Sequence, residues 1–300
     1  MNLKKPVTTH ILAAAVLAAL ALGGCTNAEP AKDTGSAPAA GISVDDAAAG
    51  LVPQKIKDAG VLKVGIDATY APNEFKDPDG KATGWGVELL DAVAAKLGLE
   101  TTYQQASFDT IIPGITGGKY DVGLSSFFDT MEREKVVDMV NYYTAGTQWA
   151  SLAGKDVDPD DACGLTVAVQ AQTTPDLEEI PARSAECVAA GKPEITKLKF
   201  DNQDAATSAV VTGRAAAFVA DSPVTQYQVK NTKGKLQLAG DVYDVVLYGM
   251  PLAKENADLG KAMVAALESL SADGTYEEIL DKYGVSTGAI STFGVNGAES

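Results

Sequence analysis

A single histidine, His10, stands near the start of this sequence, so the stretch beyond it offers no imidazole base, no His-dependent triad and no histidine metal ligand. Carboxylates remain: Asp67 and Glu74 lie close together and could run an acid–base reaction without help. Arg133, in Thr130-Met-Glu-Arg133, could grip a carboxylate through two parallel N–H bonds. On spacing alone a surface arginine at a helix start, paired with Glu132 or Glu134, is the stronger reading. Asp221, in Val219-Ala-Asp221-Ser-Pro, could meet an ammonium, and fits equally an N-cap for a helix starting near Pro223.

The three cysteines divide by context. Lys4 and Lys5, the apolar run Ile11 to Leu22, and Leu22-Gly23-Gly24-Cys25 read as a secretory leader over 1–24, its apolar run short for a membrane span. Leu-small-small-Cys resembles the lipobox of bacterial lipoproteins, which implies cleavage before Cys25 and lipidation of its side chain. Residues 25–50 hold almost no large apolar side chain and read as a flexible tether. Cys163 and Cys187 are then left as a pair, expected to form a disulfide in an oxidising compartment. With no third cysteine or histidine to complete a site, no metal is expected, and no cofactor.

Acidic residues outnumber basic ones, 40 to 24, for a formal charge of −16. That balance argues against nucleic acid or an anionic lipid surface as partner. About 250 residues follow the tether, enough for two compact units. They alternate short β-rich runs with helical stretches, the pattern of an α/β protein. Strands are predicted at 61–66, 101–104, 121–125, 166–170, 195–200 and 216–220. Helices are predicted at 87–97, 108–115, 175–190, 204–212, 224–230, 259–271 and 276–283.

Five runs carry a resemblance: GIDATYAPNEFKDPDGKATGWGVELLDAVAAKLG, FDTIIPGITGGKYDVGLSSFFDTMEREKVVDMVNYY, VAVQAQTTPDLEE, GRAAAFVADSPVTQY and DGTYEEILDKYGV. In this order, over about 61–290, the chain resembles family 3 extracellular solute-binding proteins, the receptors of polar-amino-acid ABC importers. The resemblance implies the type II periplasmic-binding fold, two α/β lobes joined by two hinge strands near Thr144–Trp149 and Val242–Met250. Lobe 1 would comprise 51–145 and 246–292, lobe 2 would comprise 146–245, and 293–300 would be a C-terminal tail.

It also implies roles. Arg133 matches the arginine that grips the ligand's α-carboxylate, Asp221 the lobe 2 aspartate that meets the α-ammonium, and Thr174 a carboxylate-binding residue at a helix N-terminus. Ser126, with Ser125 beside it, matches a serine whose backbone oxygen helps hold the ammonium. Tyr70 and Phe108 match aromatics that sandwich the ligand side chain, and Asp67 an acid near the side-chain cation of basic ligands. Phe128 and Gln170 complete the expected ligand set. Three positions depart from the family pattern: Phe128 where a Ser or Thr is frequent, Gln172 where many members have Gly, and Gly86 where Asp is frequent.

The expectation is therefore an extracytoplasmic monomer held to the cell membrane through Cys25. It would capture a free amino acid, leaning to the basic ones, for an ABC permease and ATPase, and it would be no enzyme. Two rivals use the same fold: a cyclohexadienyl or arogenate dehydratase, and a ligand-sensing receptor that docks to another protein.

Overall fold

The computed structural model describes residues 41–298. The expected leader with His10, the lipidation at Cys25 and residues 26–40 of the expected tether lie outside the described residues.

In one half of the main sheet, strand Val61–Ile66 pairs in parallel with Glu100–Gln105 on one side and Val122–Leu124 on the other. Parallel neighbours cannot be joined by a tight turn, and helices Trp85–Lys96 and Phe108–Thr116 carry the chain back. The other half repeats the plan. Thr166–Gln170 pairs in parallel with Thr196–Phe200 and Ala217–Asp221, and the returns run through helices Ile180–Ala189 and Gln203–Val211.

Two much longer strands, Asp138–Leu152 and Leu236–Leu252, pair with each other in antiparallel fashion and run through both halves. At one end Leu252 pairs with Val122, and at the other Thr147–Ser151 pairs with Asp221–Ala217. The expected crossings at 144–149 and 242–250 fall inside these strands. Pairing between them slips between Ala239 and Tyr243 and again between Tyr243 and Val246, and Asp244 has φ 48°. Such breaks free a ladder to bend locally.

Each half has its own core. Trp85, Leu89, Tyr142, Tyr248, Leu267 and Tyr276 belong to the first. Phe218 and Val224, with a neighbouring cluster around Trp149, Val167 and Ile180, belong to the second. Burying a side chain of this size stabilises by roughly 1.5–3 kcal/mol. Tyr70, from the first half in sequence, packs into the cluster of the second. The loop that bears Tyr70 forms a small antiparallel sheet, Thr69–Tyr70, Glu74–Lys76 and Ala82–Thr83, whose strands are too short to show a period.

Two expected boundaries need correction. Residues 46–51 of the expected tether form a helix: the Asp45 side chain accepts from the Ala47 and Ala48 N–H groups, and Ala48 is 1% exposed. A small residue packs a close helix–helix contact as well as a large one, so the lack of bulky side chains did not mean the lack of a fold. At the other end, Gly294–Val295 pairs with strand 138–152, and Phe293 stacks edge-on against Tyr276. The described part of the expected tail, 293–298, thus belongs to the fold. Cys163 and Cys187 are bonded to each other, tying the segment before strand 166–170 to helix 180–189.

Candidate functional site

A narrow cavity lies between the two halves of the sheet. Tyr70, Phe108, Ser126, Phe128 and Arg133 line it from the first half, and Gln170, Thr174 and Asp221 from the second. Of the ligand residues expected from the sequence, only Asp67 is missing from its wall; Ser125 and Thr173 are added. A larger hollow, about 420 Å³, lies beside the crossing strands and includes Thr144, Gln226, Lys230 and Val245. Among the described residues no carboxylate lines it, so it offers no anion to an ammonium.

Arg133 follows the Thr130 N-cap, whose hydroxyl accepts the Arg133 backbone N–H at 3.3 Å. Its guanidinium donates to the Phe128 carbonyl at 2.7 Å and, across to the second half, to the Gln172 carbonyl at 3.3 Å. It also lies over the Phe108 and Phe127 rings, 5.5 and 5.3 Å from their centroids. The helix-start arginine paired with Glu132 or Glu134 is therefore not what the chain builds: Glu132 instead pairs with Lys135. Burial lowers the guanidinium to about 10, partly offset by Asp221, so it stays charged at neutral pH.

Asp221 ends its strand at the N-cap position of helix Ser222–Asn231, yet its side chain makes no capping bond. Instead the Tyr248 hydroxyl donates to its Oδ2 at 2.6 Å, and its backbone N–H donates to the Tyr70 hydroxyl at 3.1 Å. Burial raises this carboxyl to about 7, with the bonds from Tyr248 and Tyr70 and the charge of Arg133 pulling the other way.

Asp67 is 2% exposed and stands behind the wall. Its carboxylate accepts from the Thr69 hydroxyl and the Gln170 side-chain amide, each at 2.8 Å. Burial raises its pKa, and these two bonds counter the shift. Gln170 is thus the residue that presents the Asp67 end of the site to the cavity.

The loop after Gln170 is fastened from below. Gln172 adopts φ 65°, a left-handed conformation that suits the family's Gly, and its N–H donates to the buried Asp176 carboxylate at 3.0 Å. Lys197 neutralises that carboxylate at 2.7 Å. Thr173 donates to the Gln170 carbonyl at 2.7 Å, which leaves Thr174 at the entry to the turn Pro175–Glu179. Tyr248 carries no signal in the sequence, because it acts through Asp221, 27 residues before it in the chain.

A strand-crossed pair of α/β halves with a cation and a carboxylate facing one cavity defines a two-lobed solute-binding protein. The family model for bacterial extracellular solute-binding proteins, family 3, matches residues 62–286, and the chain belongs to this family. It is 37% identical over 242 residues to the arginine-binding protein ArgT of Corynebacterium glutamicum, covering 80% of this chain and 79% of that one. Among solved structures, an ancestral arginine-binding protein bound to arginine matches with TM-score 0.68 and 32% identity, over 75% of this chain and 98% of that one. An ancestral amino acid-binding protein described as a precursor of cyclohexadienyl dehydratase matches with TM-score 0.67 and 31% identity, over 77% and 98%. The similar proteins are thus named as binding proteins. Among the described residues, no helix is long and apolar enough to cross a membrane.

Proposed function

We propose that this chain is the ligand-capturing component of an ABC importer for amino acids, with basic amino acids, arginine first, as its cargo. One observation carries the reading: Arg133 and Asp221 face a single cavity between the lobes, walled by Tyr70, Phe108 and Phe128. A free amino acid needs a cation for its carboxylate, an anion for its ammonium and a shaped wall for its side chain. All three needs are met within this one cavity.

The charge balance favours a cationic ligand. Asp67 and Asp221 lie behind and on the cavity wall near one arginine, two carboxyls against one guanidinium. A ligand of net charge +1 relieves that excess where a neutral one does not. Two of the similar proteins reported above are arginine-binding by name. Closure of the lobes over the ligand would proceed about the two crossing strands, a hinge motion. The protein would act as a monomer, lipidated at Cys25, outside the cytoplasm, delivering its ligand to a permease driven by an ATPase. It would perform no reaction.

The test is a thermal-shift screen of residues 41–300, freed of copurified ligand by unfolding and refolding, against the twenty amino acids, ornithine, citrulline and prephenate. A ligand at a hundred times its Kd stabilises by about 2.7 kcal/mol, enough to see. Saturation by basic amino acids without product supports the reading. Conversion of prephenate or arogenate would make the chain an enzyme instead, and release from the membrane unaffected by Cys25→Ala would remove the anchor.

A further inference from the structure

One carboxyl near the cavity takes no part in the contacts above. Glu74, in strand Glu74–Lys76, is 0% exposed, and its two oxygens stand 2.9 and 3.1 Å from the Ser126 hydroxyl. The Asn73 side-chain amide donates to that same hydroxyl at 2.9 Å, and Asn73 accepts from Trp85 Nε1 at 2.7 Å. Ser126 is therefore gripped from two sides by residues adjacent in sequence, and one of them, Asn73, is itself fixed to a buried indole.

Ser126 needs such a grip. It has φ 47°, a left-handed backbone that is unfavourable for a side-chain-bearing residue and persists only where its surroundings impose it. The space for the grip comes from Gly86. A Cβ at that position would lie 2.4 Å from Glu74 Oε1 and 3.4 Å from the Asn73 carbonyl. The Glu74 carboxyl is fully enclosed, so it could yield to a side chain at 86 only by leaving Ser126. The two positions are complementary: an acid reaches Ser126 from 74 because nothing projects from 86.

We propose that Glu74 is a positioning residue of the ligand site: its carboxyl, standing in the space that Gly86 leaves, pins Ser126 and with it the backbone oxygen that meets the ligand's ammonium. This rests on the reading of the cavity as an amino-acid site. Burial, with Asp67 and Asp221 adding to it, holds the Glu74 carboxyl well above the usual range, so it serves as a neutral hydrogen-bonding group. Because every amino acid shares the ammonium, the effect of Glu74 falls on all ligands alike, whereas a charge effect would fall on basic ligands alone.

The experiment is calorimetric titration of arginine and glutamine into the wild type, Glu74→Gln, Glu74→Ala, Gly86→Ala and the double variant Glu74→Ala/Gly86→Asp, with Tm measured for each. Glu74→Gln, which keeps shape and hydrogen bonding, should stay within about threefold of the wild-type Kd. Glu74→Ala and Gly86→Ala should weaken both ligands by the same factor, about tenfold or more, the usual cost of leaving a buried polar group unpartnered. The double variant returns a carboxyl to the emptied space and should regain at least about threefold. Wild-type affinity in Glu74→Ala, a loss confined to arginine, or a Glu74→Gln as weak as Glu74→Ala would overturn the proposal. If Glu74→Ala does not fold, Glu74→Gln and Gly86→Ala decide between the same outcomes. A wild type that binds no amino acid overturns the function itself; a wild type that binds while every variant matches it overturns only the role of Glu74.

Discussion

Gln170 donates its side-chain amide to the Asp67 carboxylate at 2.8 Å, joining the last residue of a strand in one lobe to the segment after strand Val61–Ile66 in the other. The acid expected to touch a basic ligand thus reaches the cavity through an amide. Its influence on the ligand is electrostatic and weaker than a direct ion pair. Asp67→Asn, which removes the charge and keeps an acceptor, should weaken arginine by about tenfold and glutamine by less than about threefold. Calorimetry with both ligands decides it; an equal loss for the two would remove Asp67 from specificity altogether.

Among the described residues, Arg133 carries the only cation on the cavity wall. Truncating one partner of a desolvated charge pair costs about 2–5 kcal/mol. Arg133→Ala should therefore raise Kd at least about thirtyfold for every amino acid, whatever its side chain. Arg133→Lys should recover only part, since an ammonium cannot span the Phe128 carbonyl and a ligand carboxylate as a planar fork does. An alanine variant within about threefold of the wild-type Kd would show that the carboxylate is held elsewhere.

The left-handed backbone of Gln172 can be tested through stability alone. Gln172→Gly should leave the unfolding free energy within about 0.5 kcal/mol of wild type, and Gln172→Val should lose about 1–2 kcal/mol, because a β-branched residue fits that region worst. Urea denaturation reads both. A valine variant as stable as the wild type would mean that the Asp176 contact to the Gln172 N–H does not hold the loop in this shape.

The disulfide closes a loop of 24 residues, which on the chain-entropy model stabilises by about 3 kcal/mol. Cys163 precedes the start of strand 166–170, whereas Gln170, at its other end, lines the cavity. Reduction should lower Tm by about 6–12 °C while changing the arginine Kd less than about twofold. A large change in affinity on reduction would instead tie the bridge to ligand binding.

The strands and helices were legible wherever the pattern is local. Thr166–Gln170 and Val61–Ile66 have the bounds that their apolar runs predict, and most helices differ by a residue or two. What failed to show was whatever depends on distant partners. Asp221 has the position of a helix cap and the contacts of a site residue, and no spacing rule separates the two roles before Tyr248 and Tyr70 are brought beside it. The departure at Gly86, in helix Trp85–Lys96, was visible as a departure, but what stands against it is Glu74, folded back onto it from a strand. Helix 46–51 escaped because a composition rule weighs side-chain size and not the fit of Ala48 against its neighbours.

Asp221 also makes binding depend on pH. In the empty cavity burial raises its carboxyl from 3.8 to about 7, so near neutrality a large fraction is protonated. The ligand's ammonium needs the ionised form and, once bound, stabilises it, so binding must expel a proton from that fraction. As pH falls below about 7 the expelled share approaches one proton, and Kd should rise by up to about tenfold per unit. Stability runs the opposite way for the empty protein. A carboxyl whose folded pKa is raised favours the fold at low pH and loses that contribution as pH climbs from about 4 towards 7, so ligand should protect most at the alkaline end of that window. Titrating arginine at pH 6 in two buffers of different ionisation enthalpy counts the protons directly. Release of close to one proton in the wild type, and none in an Asp221→Asn variant that still binds weakly, would identify Asp221 as the group that meets the ammonium; equal heats in both buffers for the wild type would exclude it.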